Sequence, residues 1–152
     1  MAKSELKFSE KNGDLIFEKF YSASPERVWE AITNPAKMKV WYFDVPEFRA
    51  EKGNEFSFIG GPPDGIQYKH ICIVTEVVVE KKLAYTWRYD GYEGISKVIF
   101  ELFPENGGTR LKLTHEGLDT FPSNNKDFAK NNFKAGWTEI VGTSLENYLE
   151  KK

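Results

Sequence analysis

Two histidines are the residues of this 152-residue sequence best suited to acid–base chemistry. His115 follows Leu111 and Leu113 on the apolar side of a predicted strand. A histidine with an ordinary pKa near ~6.5 could orient a ligand there or transfer a proton. The alternative, which we prefer, is a hydrogen-bonded histidine that closes the wall of a pocket.

The second histidine, His70, lies in a long predicted strand over residues 66–80, which is apolar on both faces. Two registers are open for this strand. One register directs a set with His70 into the interior: Tyr68, His70, Cys72 and Val74. The other instead buries Ile71, Ile73 and Thr75. The alternation of apolar and polar residues leaves both open, and we prefer the first, in which His70 lines the cavity.

Cys72 is the single cysteine, so the chain has no internal disulfide. A catalytic cysteine needs a paired base and an electropositive setting, whereas a lone cysteine in an apolar strand is typical of buried packing. The spacing of the two histidines and the cysteine fits no zinc-ligand pattern. A glycine-rich phosphate loop and a nucleophile elbow are also missing from the sequence. We therefore expect no metal and no cofactor.

Three carboxylates in the predicted strands, Glu76, Glu101 and Glu116, fall on outer faces and are interpreted as solvated. Acid–base catalysis requires a desolvated, paired carboxylate, and the sequence shows none. A binding protein is therefore favoured over an enzyme.

Composition narrows the class of protein further. The net charge of −2 does not favour binding to nucleic acid. The N-terminus lacks the apolar run of a signal peptide, and no stretch approaches the ~18 apolar residues of a membrane span. We expect one cytoplasmic domain over residues 1–152, with residues 1–13 as a loose lead-in. The 12 Phe, 7 Tyr and 4 Trp supply large rigid walls suited to a cavity.

The residue pattern predicts the elements that position these side chains. A strand over residues 15–21 is followed by two short helices, which begin at Ser24-Pro25 and Asn34-Pro35 because each pair offers a capping side chain and a first-turn proline. About six strands joined by tight turns come next, and the first of them is a short strand over residues 47–50.

A long helix is predicted over residues 127–150. Its apolar stripe recurs at helical spacing: Phe133, Trp137, Ile140, Ser144 and Tyr148. Gly136 and Gly142 lie within this helix, where each costs about 1 kcal/mol relative to alanine. The two glycines indicate the close approach of another backbone or room for something else.

Tight hairpin turns predict an antiparallel sheet, and the alternation gives each strand one covered face. The long helix is the expected cover. A twisted sheet of about seven strands curls, so a straight helix laid on it leaves a gap. The sequence therefore predicts an α+β domain with a pocket between sheet and helix.

Several segments resemble one known family. Residues 22–35, SASPERVWEAITNP, resemble the opening of the START-like (SRPBCC) superfamily, in the branch related to the activator of heat-shock protein 90 ATPase. Residues 83–87, 113–118 and 136–137 resemble later signatures of that branch. The resemblance implies a helix-grip fold, in which a curved sheet grips a C-terminal helix around a deep pocket. The superfamily includes lipid carriers, hormone receptors, polyketide cyclases and chaperone activators, so the fold does not fix the activity.

On this fold, an apolar pocket with a few polar contacts is the usual form of a small-molecule site. The residues predicted to form the ligand-binding interior are Trp41, Phe43, Phe56, Phe58, Tyr68, His70, Cys72, Tyr85, Trp87, Val98, Phe100, Leu113, His115, Phe133, Trp137 and Ile140. The polar contacts expected among them are Tyr68, Tyr85, His70 and His115.

The leading hypothesis is binding of a small hydrophobic or aromatic molecule, such as a lipid, without covalent chemistry. One alternative is an interaction module for a chaperone ATPase in a stress response, which predicts an exposed patch on the outer face of the sheet. Another is a cyclase or hydrolase that uses His70 or His115.

Overall fold

The structure is a computed structural model and describes residues 5–61 and 64–150. In this part of the chain, seven strands form one antiparallel sheet in the order β1-β2-β7-β6-β5-β4-β3. The strands are β1 Lys7–Lys11, β2 Asp14–Tyr21, β3 Glu55–Gly60, β4 Tyr68–Val78, β5 Lys82–Tyr89, β6 Ser96–Glu105 and β7 Gly108–Glu116. The helices are α1 Pro25–Thr33, α2 Pro35–Trp41, α3 Lys130–Glu139 and α4 Leu145–Glu150, with short 3-10 turns at Leu118–Thr120 and Lys126–Phe128.

The predicted fold class is confirmed: two short helices follow a strand, and a long C-terminal helical segment lies against a curved antiparallel sheet. Both helix starts form as the sequence predicts. Ser24 Oγ accepts a hydrogen bond from the backbone N–H of Arg27, and Asn34 Oδ1 accepts one from that of Ala36. None of the helices within the described ranges has the length and apolar character needed to cross a membrane.

The N-terminal lead-in is more ordered than predicted. Residues 1–4 lie outside the described residues, but Lys7–Lys11 form β1, which pairs antiparallel with β2. The expectation of a loose lead-in is therefore wrong for this segment. All five side chains of β1 are exposed, so the sequence carries no alternating pattern there, and the strand is held by its backbone pairing and by contact of the Phe8 and Phe17 rings.

The short strand predicted over residues 47–50 is wrong as well. This segment lies in the loop of residues 42–54, where Asn54 Nδ2 donates to the Glu47 carbonyl and Asn54 Oδ1 accepts from the Arg49 N–H. These bonds fold the backbone into turns instead of a ladder. Val45 and Phe48 are buried, so the loop covers part of the sheet, and the long helix is not its only cover.

The register of β4 is the preferred one. Tyr68, His70, Cys72 and Val74 are buried, and Phe56 and Phe58 of β3 lie opposite Cys72 and His70. Ile73 is exposed on the outer face. The pairing with β5 shifts between Val74 and Glu76, so Thr75 occupies a β-bulge.

The C-terminal helix begins at Lys130, not at residue 127, and it contains a π-helical turn at Ile140–Ser144. Its buried residues recur every four positions: Phe133, Trp137, Val141, Leu145 and Leu149. The predicted stripe is therefore right for Phe133 and Trp137 but wrong for Ile140, Ser144 and Tyr148, which are half-buried.

The π turn explains this change of register. The Leu145 N–H donates to the Ile140 carbonyl, five residues earlier, so the helix is locally wider. As a result Val141, and not Ile140, faces the sheet. The Val141 carbonyl in this turn accepts a hydrogen bond from the Tyr21 hydroxyl of β2 at 2.5 Å. The irregular turn is thus tied to the sheet by a side chain.

Candidate functional site

A cavity of about 700 Å³ lies between α3 and the half of the sheet formed by β3, β4 and β5. Its volume falls within the roughly 300–1,000 Å³ typical of small-molecule sites. The lining residues are Phe43, Gly60, Gly61, Tyr68, His70, Trp87, Tyr89, Lys126, Asp127, Phe128, Asn132, Phe133, Ala135, Gly136, Trp137 and Ile140.

The residues predicted to form the interior divide into two groups. Those that line the cavity are Phe43, Tyr68, His70, Trp87, Phe133, Trp137 and Ile140. The others are buried in the core beside it: Trp41, Phe56, Phe58, Cys72, Tyr85, Val98, Phe100, Leu113 and His115.

The second group lies off the cavity because other parts of the chain fill the interior there. The ring of Phe48, from the loop of residues 42–54, contacts Phe56 at 5.0 Å, and Phe56 contacts Tyr85 at 5.1 Å. The Tyr85 hydroxyl is bonded to that of Tyr42 at 2.6 Å. The Trp41 indole N–H donates to the carbonyl of Ala31. These aromatic side chains therefore stabilise the fold and do not face the cavity.

Several lining residues were not predicted from the sequence: Gly60, Gly61, Tyr89, Lys126, Asp127, Phe128, Asn132, Ala135 and Gly136. Tyr89 could have been found, since it follows Tyr85 and Trp87 in the alternation of β5. Gly136 also carried a signal, because a glycine within a helix indicates room beside it. A Cβ atom built on Gly136 meets no atom within 4 Å beyond its chain neighbours and the backbone of its own helix, so this room is present.

One end of the cavity is a cluster of aromatic rings. Phe128 stacks on Tyr89 with ring centroids 4.5 Å apart, and the Tyr68 ring lies 5.1 Å from Phe128. The Tyr68 hydroxyl donates to Asp127 Oδ2 at 2.6 Å, and this bond raises the pKa of Tyr68. It also attaches the turn Lys126–Phe128 to the sheet, so the turn forms a fixed rim of the cavity.

His70 lines the cavity as a neutral ring. Its Nδ1 donates to the Tyr68 carbonyl at 3.0 Å, and its ring stacks on Phe58 at 4.3 Å. Burial lowers the pKa of His70 to about 4, although the carbonyls of Tyr68 and Phe58 act in the opposite direction. The ring therefore carries no charge at neutral pH.

His115 lies behind the cavity wall, in a chain of hydrogen bonds. The Trp137 indole N–H donates to His115 Nδ1 at 2.9 Å. Since an indole nitrogen can only donate, the proton of the neutral imidazole is on Nε2, which donates to Ser96 Oγ at 2.8 Å. Ser96 Oγ donates in turn to the Trp87 carbonyl. Burial lowers the pKa of His115 to about 3, so the ring is neutral at pH 7. In this neutral form both ring nitrogens are engaged in hydrogen bonds.

Cys72 is fully buried, and burial raises the pKa of its thiol, which disfavours the thiolate that nucleophilic chemistry needs. Across residues 5–61 and 64–150, no group of His, Cys, Asp and Glu side chains is arranged to hold a metal ion. The cavity as a whole can therefore contact a molecule through its shape and its apolar walls, and polar groups lie at its rim.

A curved antiparallel sheet closed by a C-terminal helix over a cavity defines a helix-grip protein of the START-like (SRPBCC) superfamily. Residues 22–150 match the sequence profile described as "Activator of Hsp90 ATPase homolog 1-like protein". The chain therefore belongs to the activator of Hsp90 ATPase homolog 1-like family.

Solved structures of similar proteins agree with this assignment of the fold. Protein CV1439 from Chromobacterium violaceum is 23% identical, with a TM-score of 0.76 over 91% of this chain and 98% of the other. Protein MLL2253 from Mesorhizobium loti is 26% identical, with a TM-score of 0.73 over 91% and 98%. A protein from Rhodobacter sphaeroides is 24% identical, with a TM-score of 0.76 over 96% and 98%. No curated protein sequence matches the chain.

Proposed function

We propose that this protein binds a small hydrophobic or aromatic molecule in the cavity between α3 and strands β3–β5. The observation that carries the proposal is the cavity of about 700 Å³ walled largely by aromatic side chains. Large rigid rings lose little entropy when a ligand is bound, so they favour affinity for apolar guests.

The polar groups support binding over catalysis. A general acid or base should titrate near the working pH, whereas burial holds the pKa of both histidines far below neutrality. His115 is also separated from the cavity and uses both ring nitrogens in hydrogen bonds. Cys72 has its thiol pKa raised by burial. The hydrolase or cyclase hypothesis therefore has little support from these three side chains.

The direct test is a panel of fatty acids, sterols and polycyclic aromatic compounds, measured by thermal unfolding and then by calorimetric titration. A ligand at 100 times its dissociation constant adds about 2.7 kcal/mol to the free energy of unfolding. We expect at least one class to raise the unfolding temperature and to bind with one-to-one stoichiometry. No shift across all classes would contradict the proposal.

A second candidate function is stimulation of a chaperone ATPase, as the family description suggests. The observation that favours it is a pair of exposed apolar side chains on the outer face of the sheet, where Ile59 is 62% exposed and Ile73 is 39% exposed. They lie on neighbouring strands but four positions apart in register, with Ile59 opposite Lys69 and Ile73 opposite Glu55, so a partner would contact them as two separate points.

This candidate is tested by ATP turnover of an Hsp90-type chaperone with and without the protein. Stimulation should be lost in an Ile59→Lys/Ile73→Lys double variant and kept in Val79→Lys, a control at another exposed apolar position. Turnover that does not respond to the unmodified protein would exclude the activity.

A further inference from the structure

Tyr89 is a buried tyrosine of the cavity wall, and within the described residues its hydroxyl accepts a hydrogen bond but has no acceptor for its own proton. Tyr89 is 5% exposed and lines the cavity. Its oxygen accepts a hydrogen bond from the Trp87 indole N–H at 2.9 Å, and an indole nitrogen can only donate. The hydroxyl proton of Tyr89 therefore needs a separate hydrogen-bond acceptor, and none is present within residues 5–61 and 64–150.

The other cavity-lining tyrosine shows the usual arrangement. The Tyr68 hydroxyl donates to Asp127 Oδ2 at 2.6 Å, so its proton is already engaged. Buried donors in folded proteins are nearly always paired, and leaving one unpaired is costly. The hydroxyl proton of Tyr89 thus indicates that an acceptor from outside the chain forms a hydrogen bond with it.

The surroundings restrict the chemistry of that acceptor. Phe128 stacks on the Tyr89 ring at 4.5 Å, and the neutral His70 ring lies 4.7 Å from it. Lys126, the cationic side chain among the lining residues, is exposed and lies at the rim. A ligand anion close to Tyr89 would lose its hydration without gaining a buried counter-charge, so a neutral oxygen is favoured.

We infer that the cavity selects neutral aromatic carbonyl compounds, whose oxygen accepts the hydrogen bond that Tyr89 has free to donate. The inference rests on the proposed ligand-binding function and adds the class of ligand to it. Tyr89 acts as the specificity-determining residue, and the aromatic walls contact the ring system of the ligand. Fatty acids and plain hydrocarbons lack a neutral acceptor at this point and bind more weakly.

The test compares 2-acetylnaphthalene with 2-isopropenylnaphthalene by calorimetric titration. The two probes have nearly the same shape, but only the first carries an oxygen acceptor. We expect the ketone to bind roughly 3- to 10-fold more tightly to the unmodified protein, as one neutral hydrogen bond allows. Tyr89→Phe should reduce the preference, and Tyr89→Phe/Trp87→Phe, which also removes the indole N–H that the first change leaves free, should bind both probes alike. The control Tyr148→Phe, at a position that does not line the cavity, should keep the preference for the ketone.

The outcomes separate this inference from the proposal on which it rests. Equal affinity of the two probes for the unmodified protein overturns the inference while leaving ligand binding intact, and this comparison needs no variant to fold. A preference for the ketone that survives in Tyr89→Phe/Trp87→Phe also overturns it. If neither probe binds, and the wider panel gives no ligand, the proposed function itself fails.

Discussion

The indole N–H of Trp137 donates to Nδ1 of His115 at 2.9 Å, which joins α3 to the centre of the sheet. Trp137 lines the cavity, whereas His115 is buried behind it and reaches β6 through Ser96. The bond fixes the position of α3 over this part of the sheet by a polar contact and not by packing alone. It therefore helps to keep the space beneath the helix from collapsing.

The buried histidines predict a loss of stability in acid. Below pH ~6.5 the unfolded chain binds protons on His70 and His115, whereas the folded chain does not until pH falls to the lowered pKa values of about 4 and about 3. The stability present above pH ~6.5 is therefore lost as pH falls, by up to about 1.4 kcal/mol per pH unit for each histidine. Urea unfolding at a series of pH values between 5 and 7.5 measures the slope.

His115→Gln isolates the contribution of one site. The glutamine amide can accept from Trp137 and donate to Ser96, so the hydrogen-bond chain is retained without a titrating group. We expect the slope of unfolding free energy against pH to fall by about half, because one of the two histidines is removed. An unchanged slope would show that His115 is not held neutral in the folded state.

Tyr21→Phe tests the tie between β2 and the π turn. It removes the hydroxyl that donates to the Val141 carbonyl and leaves a buried acceptor with one bond fewer. We expect a loss of about 1–3 kcal/mol in the free energy of unfolding, measured in urea. Tyr148→Phe, a half-buried position on the same helical segment, should cost less than about 0.5 kcal/mol. Equal effects of the two changes would contradict the role of Tyr21.

The buried ion pair of Lys19 with Glu146 provides another test of how the C-terminal segment is anchored. Lys19 Nζ lies 3.2 Å from Glu146 Oε1, and only 2% of the lysine side chain is exposed. Lys19→Met should cost about 3–5 kcal/mol, because the carboxylate loses its partner. The double variant Lys19→Met/Glu146→Leu should recover part of this loss. A double variant less stable than Lys19→Met would contradict the view that the unpaired carboxylate of Glu146 causes the loss of stability.

The sequence predicts the fold well wherever burial alternates along a strand. β5, β6 and β7 each have clear inward and outward faces, and their positions match the predicted strands. Lys7–Lys11 could not be found in this way, because β1 has no buried side chain. The change of register after Trp137 was also hidden, since a π turn follows from tertiary contacts and leaves no periodic pattern.

The candidate site was harder to predict than the fold. Alternation shows which side chains point inward, but it does not separate those that face a void from those covered by other chain segments. Phe56 and Trp87 are both aromatic residues at inward positions of alternating strands. Phe56 is nevertheless covered by Phe48, while Trp87 borders the cavity. Asp127 and Phe128 belong to an irregular turn, so only the folded chain brings them to the rim.

The central claim is that the space beside Gly136 is where a ligand binds, and blocking that space tests it most directly. Asn131 is an exposed position on the same helix that does not line the cavity, so Asn131→Phe is a matched control. Gly136→Ala should raise the free energy of unfolding by about 1 kcal/mol and leave binding nearly unchanged.

The measurement is calorimetric titration of the tightest-binding member of the ligand panel into Gly136→Phe, Gly136→Ala and Asn131→Phe. A phenyl group at position 136 enters open space, so this protein should stay folded but bind at least about 10-fold more weakly, whereas both controls should bind like the unmodified protein. Unchanged affinity in folded Gly136→Phe would contradict the account, because the ligand would then occupy some other part of the molecule.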